Sequence, residues 1–113
     1  MEITETDKYC IITPLSNKLN ERETIKIIKE AESKQTKTAL DMSFVNDCTI
    51  EFIEGIKNLK NISLFNVQSD IFALLLSMNI DKFVNLFVTE SDFLQNKRSL
   101  LNRKFNVFYN STP

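Results

Sequence analysis

Short runs of β-forming residues alternate with segments of helical periodicity along nearly the whole chain, and this alternation is the strongest constraint on its fold. Lys8–Leu15 (KYCIITPL) is rich in β-formers, and its Pro14 suits an edge strand or one that ends near Thr13. Leu15–Asn20 turns the chain. Asn20 then stands as an N-cap with Glu23 three residues on, and Ile25, Ile28 and Ala31 recur at helical spacing to about Ser33. Thr38–Met42 (TALDM) reads as a short buried strand. Ile50, Ile53 and Ile56, with Phe52 and Leu59, predict a second helix to about Leu59. Asn61–Val67 is a central strand, and Ser69 as N-cap opens a third helix whose Ile71, Phe72, Leu74, Leu75 and Met78 predict wide burial. After a turn at 79–82, Phe83–Val88 forms a fourth strand, and Thr89 with Asp92 begins a last helix carrying Phe93, Leu94, Leu100 and Leu101. Strand and helix in alternation with short connections predict an α/β fold: a small, largely parallel or mixed sheet of four to five strands with about four helices.

A length of 113 residues predicts one domain over 1–113, with a core over about 8–95 and a helix end and tail over 96–113. The single glycine, Gly55, and the two prolines leave no visible linker. A formal net charge of -1 gives no electrostatic case for nucleic acid. No apolar run is long enough for a bilayer, and the acidic N-terminal stretch carries no secretion signal, so a cytoplasmic protein without direct membrane insertion is expected. Cys10 and Cys48 form no CxxC motif and are expected to be reduced thiols.

Common catalytic marks are missing. The chain has no histidine, no GxxxxGK[ST], no GxGxxG and no GxSxG, so no catalytic residue, metal site or cofactor is expected. Asp41, Asp47, Glu51 and Glu54 gather near a strand end and the following helix start, where carboxylate-only catalysis would need them. The simpler reading is a solvated face whose acids complement the helix dipole.

Residues 39–93, from ALDMSFVNDCTIEFIEGI through ISLFNVQSDIFALLLSMNIDKFVNLFVTESDF, resemble the STAS family of anti-sigma factor antagonists. In that family a strand ending in Asp-Leu-Ser leads to Asp-Ser-Ser-Gly at a helix start. Leu-x-Asn-Val, a helix, and Leu-x-Leu-x-x-Leu-x-Lys-x-Phe follow, before a final strand and helix. Asp41, Met42 and Ser43 match the first element and Asn66 and Val67 the second, with Ser69 opening the helix. Met78, Ile80, Asp81, Lys82 and Phe83 match the third. Upstream, Asn17, Lys18 and Leu19 stand at the family's Gly-x-Leu turn. The departure is at the second helix, where Asp47-Cys48-Thr49-Ile50 replaces Asp-Ser-Ser-Gly and the preceding loop is about two residues shorter.

The resemblance implies a non-catalytic bacterial regulatory domain that binds a protein partner, an anti-sigma factor or kinase-like regulator. Asp47, Cys48, Thr49 and Glu51 would be the contact residues, and Thr49 would take the phosphorylated position. A phosphate there would add nearly two negative charges beside the helix N–H groups; the competing reading is that Asp47 or Thr49 only caps the helix. The family also offers a cytoplasmic accessory subunit of a membrane transporter, acting as a constitutive adaptor. A small-ligand or nucleotide-binding domain is a third possibility. Three features stay open. Cys48 reads as a redox thiol or, more simply, a half-buried structural one. Lys97, Arg98, Arg103 and Lys104 either dock an acidic partner or complement a helix end. Phe105, Val107, Phe108 and Tyr109 form an edge strand, a lid or a dimer contact.

Overall fold

The parallel strands β2 (Tyr9–Thr13), β4 (Lys37–Asp41), β6 (Ile62–Phe65) and β7 (Asn85–Leu86) lie side by side in chain order in the computed structural model, which describes residues 1–96. A fifth strand, β1 (Glu2–Glu5), pairs antiparallel with β2. The register places Ile12, Leu40, Leu64 and Leu86 in one row across the sheet. Because side chains alternate between faces, this row and its period-two neighbours form one apolar face, while Ile11, Ala39, Phe65 and Phe87 belong to the other. The mixed, mostly parallel α/β sheet expected from the alternation is the fold observed.

Each parallel crossover carries a helix: α1 (Glu21–Glu32), α2 (Ile50–Lys57) and α3 (Ser69–Ser77). Successive strands advance in one direction across the sheet, so crossovers of one hand stack all three helices on one face. Ile27 and Ala31 of α1, Phe52, Ile53 and Ile56 of α2, and Ile71, Phe72 and Leu75 of α3 fill the core there. The opposite face receives α4 (Glu90–Gln95) through Phe93.

Several elements differ from the sequence reading. β1 was not anticipated, because its EITE sequence is short, acidic and exposed throughout. It makes β2 an interior strand, so of the two arrangements that suit Pro14, an edge strand or one ending near Thr13, the second is observed. Lys34 fastens β1 to α1, with Nζ 3.0 Å from Glu5 Oε1 and 3.4 Å from Glu30 Oε2. In α1 the buried positions are Thr24, Ile27 and Ala31, and Ile25 is 47% exposed. Ile28 turns toward α2, where a Cβ on Gly55 would lie 3.1 Å from Ile28 Cδ1; the missing side chain admits the close approach of the two helices. Ser69 is the first helical residue of α3 rather than its cap; Gln68 holds that position without a capping side-chain bond. Leu74 is 40% exposed, so α3 buries a narrower face than expected.

The fourth strand shrinks to Asn85–Leu86, preceded by a 3₁₀ turn at Ile80–Lys82. Phe83 is left exposed, with Lys57 Nζ 5.4 Å from its ring centroid. α2 ends at Lys57, and Leu59 packs on the core from beyond the helix. Asn20 and Thr89 cap α1 and α4 as expected, accepting from Glu23 N at 3.0 Å and Asp92 N at 3.1 Å. α4 stops at Gln95, with Asn96 left-handed. Leu100 and Leu101, the Lys97, Arg98, Arg103 and Lys104 group, and the Phe105, Val107, Phe108 and Tyr109 tail lie outside the described residues. Asn61, Asn66, Asn79 and Asn96 all have φ between 57 and 59°, so asparagine takes the left-handed positions that glycine usually fills. Among the described residues, no helix is long and apolar enough to cross a membrane.

Candidate functional site

The segment after β4 is tied down at both ends before it reaches α2. Asp41 closes β4 and accepts hydrogen bonds at Oδ1 from Ser43 N and Asn66 Nδ2, both 3.1 Å. Asn66 follows β6, so one carboxylate joins two neighbouring strand ends. Gln68 Nε2 donates to Ser43 O at 3.4 Å and Met42 N to Phe65 O at 3.0 Å, completing the seam. Met42 and Val45 point into the core, while Phe44 between them is 54% exposed.

Next, β5 (Asp47–Cys48) pairs in parallel with β3 (Lys18–Leu19). The Asn17 carbonyl accepts from Asn46 N at 2.9 Å and Asp47 N at 3.2 Å, and Leu19 O accepts from Thr49 N at 3.3 Å. This fixes the start of α2. Thr49 is its N-cap, with Oγ1 accepting from Phe52 N at 3.3 Å, a satisfaction of an orphan helix donor of the kind worth about 1 kcal/mol.

Asp47, Cys48, Thr49 and Glu51 are thus brought onto one clamped segment, but their environments differ. Asp47 is exposed and 3.9 Å from Lys18 Nζ; so open a pair contributes little. Glu51 is exposed in the first turn of α2. Thr49 is half-buried. Cys48 is half-buried against the core, and its thiol is pushed up to about 11, first by burial and then by the Asp47 charge. A thiol held in the protonated form is a poor nucleophile, which supports the structural reading of Cys48 over the redox one. Cys10 is buried, and burial raises its thiol too.

The thiols give a direct check. Near pH 8 both are expected to react at least roughly tenfold more slowly with a disulfide reagent in the native protein than after unfolding in urea. Because Cys48 titrates higher in the folded state, its share of stability is complete below pH 9 and disappears as pH rises toward 11. Cys48→Ala should flatten that alkaline loss in thermal melts; an unchanged pH profile would contradict the assignment.

Asp41 has a structural duty that sequence reasoning did not assign, since its partner Asn66 lies 25 residues away. Leu15, Phe44 and Ile50, at 50, 54 and 62% exposure, carry no signal in the sequence that marks them as surface residues; Ile50 shares the helical spacing of Ile53 and Ile56 but not their burial. Among the described residues, no three Cys, Asp or Glu side chains gather as a metal cluster would require. A cleft of about 400 Å³ opens at the opposite end of the sheet, beside Lys34, Thr36, Asn58 and Lys60, and does not include the segment before α2. No protein-family model matches the chain, and no curated protein is similar enough to count as a relative.

Proposed function

We propose that the chain is a non-catalytic STAS-like domain that regulates by binding a protein partner, in the manner of an anti-sigma factor antagonist acting in the cytoplasm. The observation that carries this reading is the segment from Asp41 to Glu51. Backbone bonds to Asn17 and Leu19 hold it, yet it presents Phe44, Asp47, Ile50 and Glu51 to solvent. Preorganised apolar and charged groups on a fixed loop suit recognition. The order of elements also supports the resemblance: Asp41 ends a strand, Thr49 caps the next helix, Asn66 follows the next strand, and Met78–Phe83 spans the turn before β7.

Phosphorylation of Thr49 would place a dianion between Asp47 and Glu51, repelling an acidic partner group and desolvating poorly against an apolar one. The capping bond to Phe52 favours a second version, in which Thr49 is structural and the domain is a constitutive adaptor, for example on a transporter subunit. A nucleotide-binding reading gains less support. The parallel strands advance without reversal, so the sheet lacks the divergence between neighbouring connections where nucleotides usually settle.

Affinity capture from the source cell, with bound proteins identified by mass spectrometry, separates these versions. Wild type and Thr49→Ser are expected to retain a kinase-like or anti-sigma regulator and Thr49→Glu to lose at least roughly tenfold of it, given that charge insertion in an interface costs a few kcal/mol. Equal retention by Thr49→Glu would leave the constitutive adaptor. If no protein is retained specifically by any form, the interaction reading fails.

A further inference from the structure

Leu15 follows β2, Phe44 follows β4 and Ile50 opens α2, so three half-exposed apolar side chains stand at the end of the sheet where its parallel strands finish. The charges around them are one-sided. All four helices begin at this end, and their first turns carry Glu21, Glu23, Glu51, Asp70, Glu90 and Asp92. Asp41 and Asp47 lie on the loop that bears Phe44. Against these stand Lys18 and Arg22. Lys29 and Lys57, by contrast, lie in the last turns of α1 and α2, and Lys34, Lys37 and Lys60 occupy the far end of the sheet. Away from this end Lys34 pairs with Glu5 and Glu30, and Lys57 with Glu54, so acids there are met by cations as most of those around the trio are not. Acids in first turns complement helix dipoles one by one, but together they also surround the apolar trio with negative potential.

We propose that the occupant of this end is a basic amphipathic protein segment, with apolar residues seated on Leu15, Phe44 and Ile50 and lysines or arginines facing the acids. This rests on the protein-interaction reading above and names the partner's chemistry. An apolar anchor in a charged rim is the usual anatomy of a specific interface. The same potential repels nucleic acid, anionic lipid and a second copy docking through this end.

The test is a heteronuclear NMR titration of the full chain with three synthetic peptides of equal length. One is amphipathic with Lys and Arg on its polar face, one has Glu there instead, and one is a scrambled basic sequence. The basic amphipathic peptide is expected to bind saturably, shifting amides around Phe44 and Ile50, and to weaken roughly tenfold between low and high salt. Phe44→Ser and Glu51→Lys, both at exposed positions, should each weaken it by about tenfold. The proposal is overturned by an absence of saturable shifts, by equal binding of the scrambled or acidic peptide, or by indifference to Phe44→Ser. A regulator captured by wild type and lost with Thr49→Glu, alongside a failed titration, would sink this inference alone and leave the interaction reading standing.

Discussion

Replacing Phe93 by alanine is expected to remove about 4 kcal/mol of stability, near the middle of the range for large aromatic truncations in a core. Phe93 is fully buried and is the buried residue of the six-residue α4. Its ring stacks on Phe65 at 5.8 Å between centroids and meets Phe87 edge-on at 5.7 Å and Tyr9 at 6.3 Å. Lys37 covers the ring at 4.5 Å and donates from Nζ to Phe93 O at 2.8 Å, so one side chain holds both ring and backbone. Truncation removes the shared partner of three aromatic rings at once, and each such pair is worth about 1 kcal/mol beyond its buried area. In a domain of this size the loss would lower the melting temperature by roughly 20 °C. Urea denaturation of Phe93→Ala beside Leu94→Ala, whose side chain is 45% exposed, measures the contrast. Leu94→Ala should stay within about 0.5 kcal/mol of wild type. A loss under about 1 kcal/mol for Phe93→Ala would mean that α4 does not hold the second face of the sheet through this ring.

Local rules were legible where one residue type decides the structure. Asn20 and Thr89 were readable as caps because a short polar side chain three residues before an acid has few other uses at a helix start. The same reasoning failed at Ser69, where the preceding Gln68 had already taken the capping position. Periodicity located α1 and α2 but not which residues they bury. Ile25, Ile28 and Ala31 share one helical spacing, but the row buried is Thr24, Ile27 and Ala31, with Ile25 exposed and Ile28 beside Gly55 of α2. Ile50 fits the α2 stripe equally well, but as the first helical residue it projects beyond the core and remains exposed. β1 escaped, and the fourth strand was expected too long, because edge pairing is a tertiary decision: EITE has little apolar content, and FVNLFV has enough for six residues of strand although only two pair. At the site, Asp47, Cys48, Thr49 and Glu51 could be named because they are adjacent in sequence. The clamp that holds them could not, since Asn17 and Leu19 contribute backbone carbonyls, which any residue would supply.

Phe52 and Ile50 should separate the two duties of α2. An eight-residue helix does not persist in water alone, so α2 depends on what its buried side grips. Phe52 is fully buried, and its N–H lies 3.3 Å from Thr49 Oγ1 and 3.2 Å from Thr49 O, so it both anchors the helix and closes its first turn. Phe52→Ala is expected to cost about 3–5 kcal/mol, enough to leave the fold marginal. Phe52→Leu, which keeps most of the volume, should cost about 1 kcal/mol and stay folded at room temperature. Even so, it should weaken partner binding, because the turn it holds carries Thr49, Ile50 and Glu51. Ile50→Ser should behave in the opposite sense. At 62% exposure it has little packing to lose, so stability should change by less than about 0.5 kcal/mol while partner binding falls by roughly tenfold. Chemical denaturation and a binding titration on the same preparations read both quantities. If Ile50→Ser destabilises by more than about 1 kcal/mol, Ile50 belongs to the core and the apolar surface loses a member. If Phe52→Ala instead leaves stability nearly unchanged, α2 is not held at its first turn, and the clamp built from Asn17, Leu19 and Thr49 would have to position the recognition segment without it.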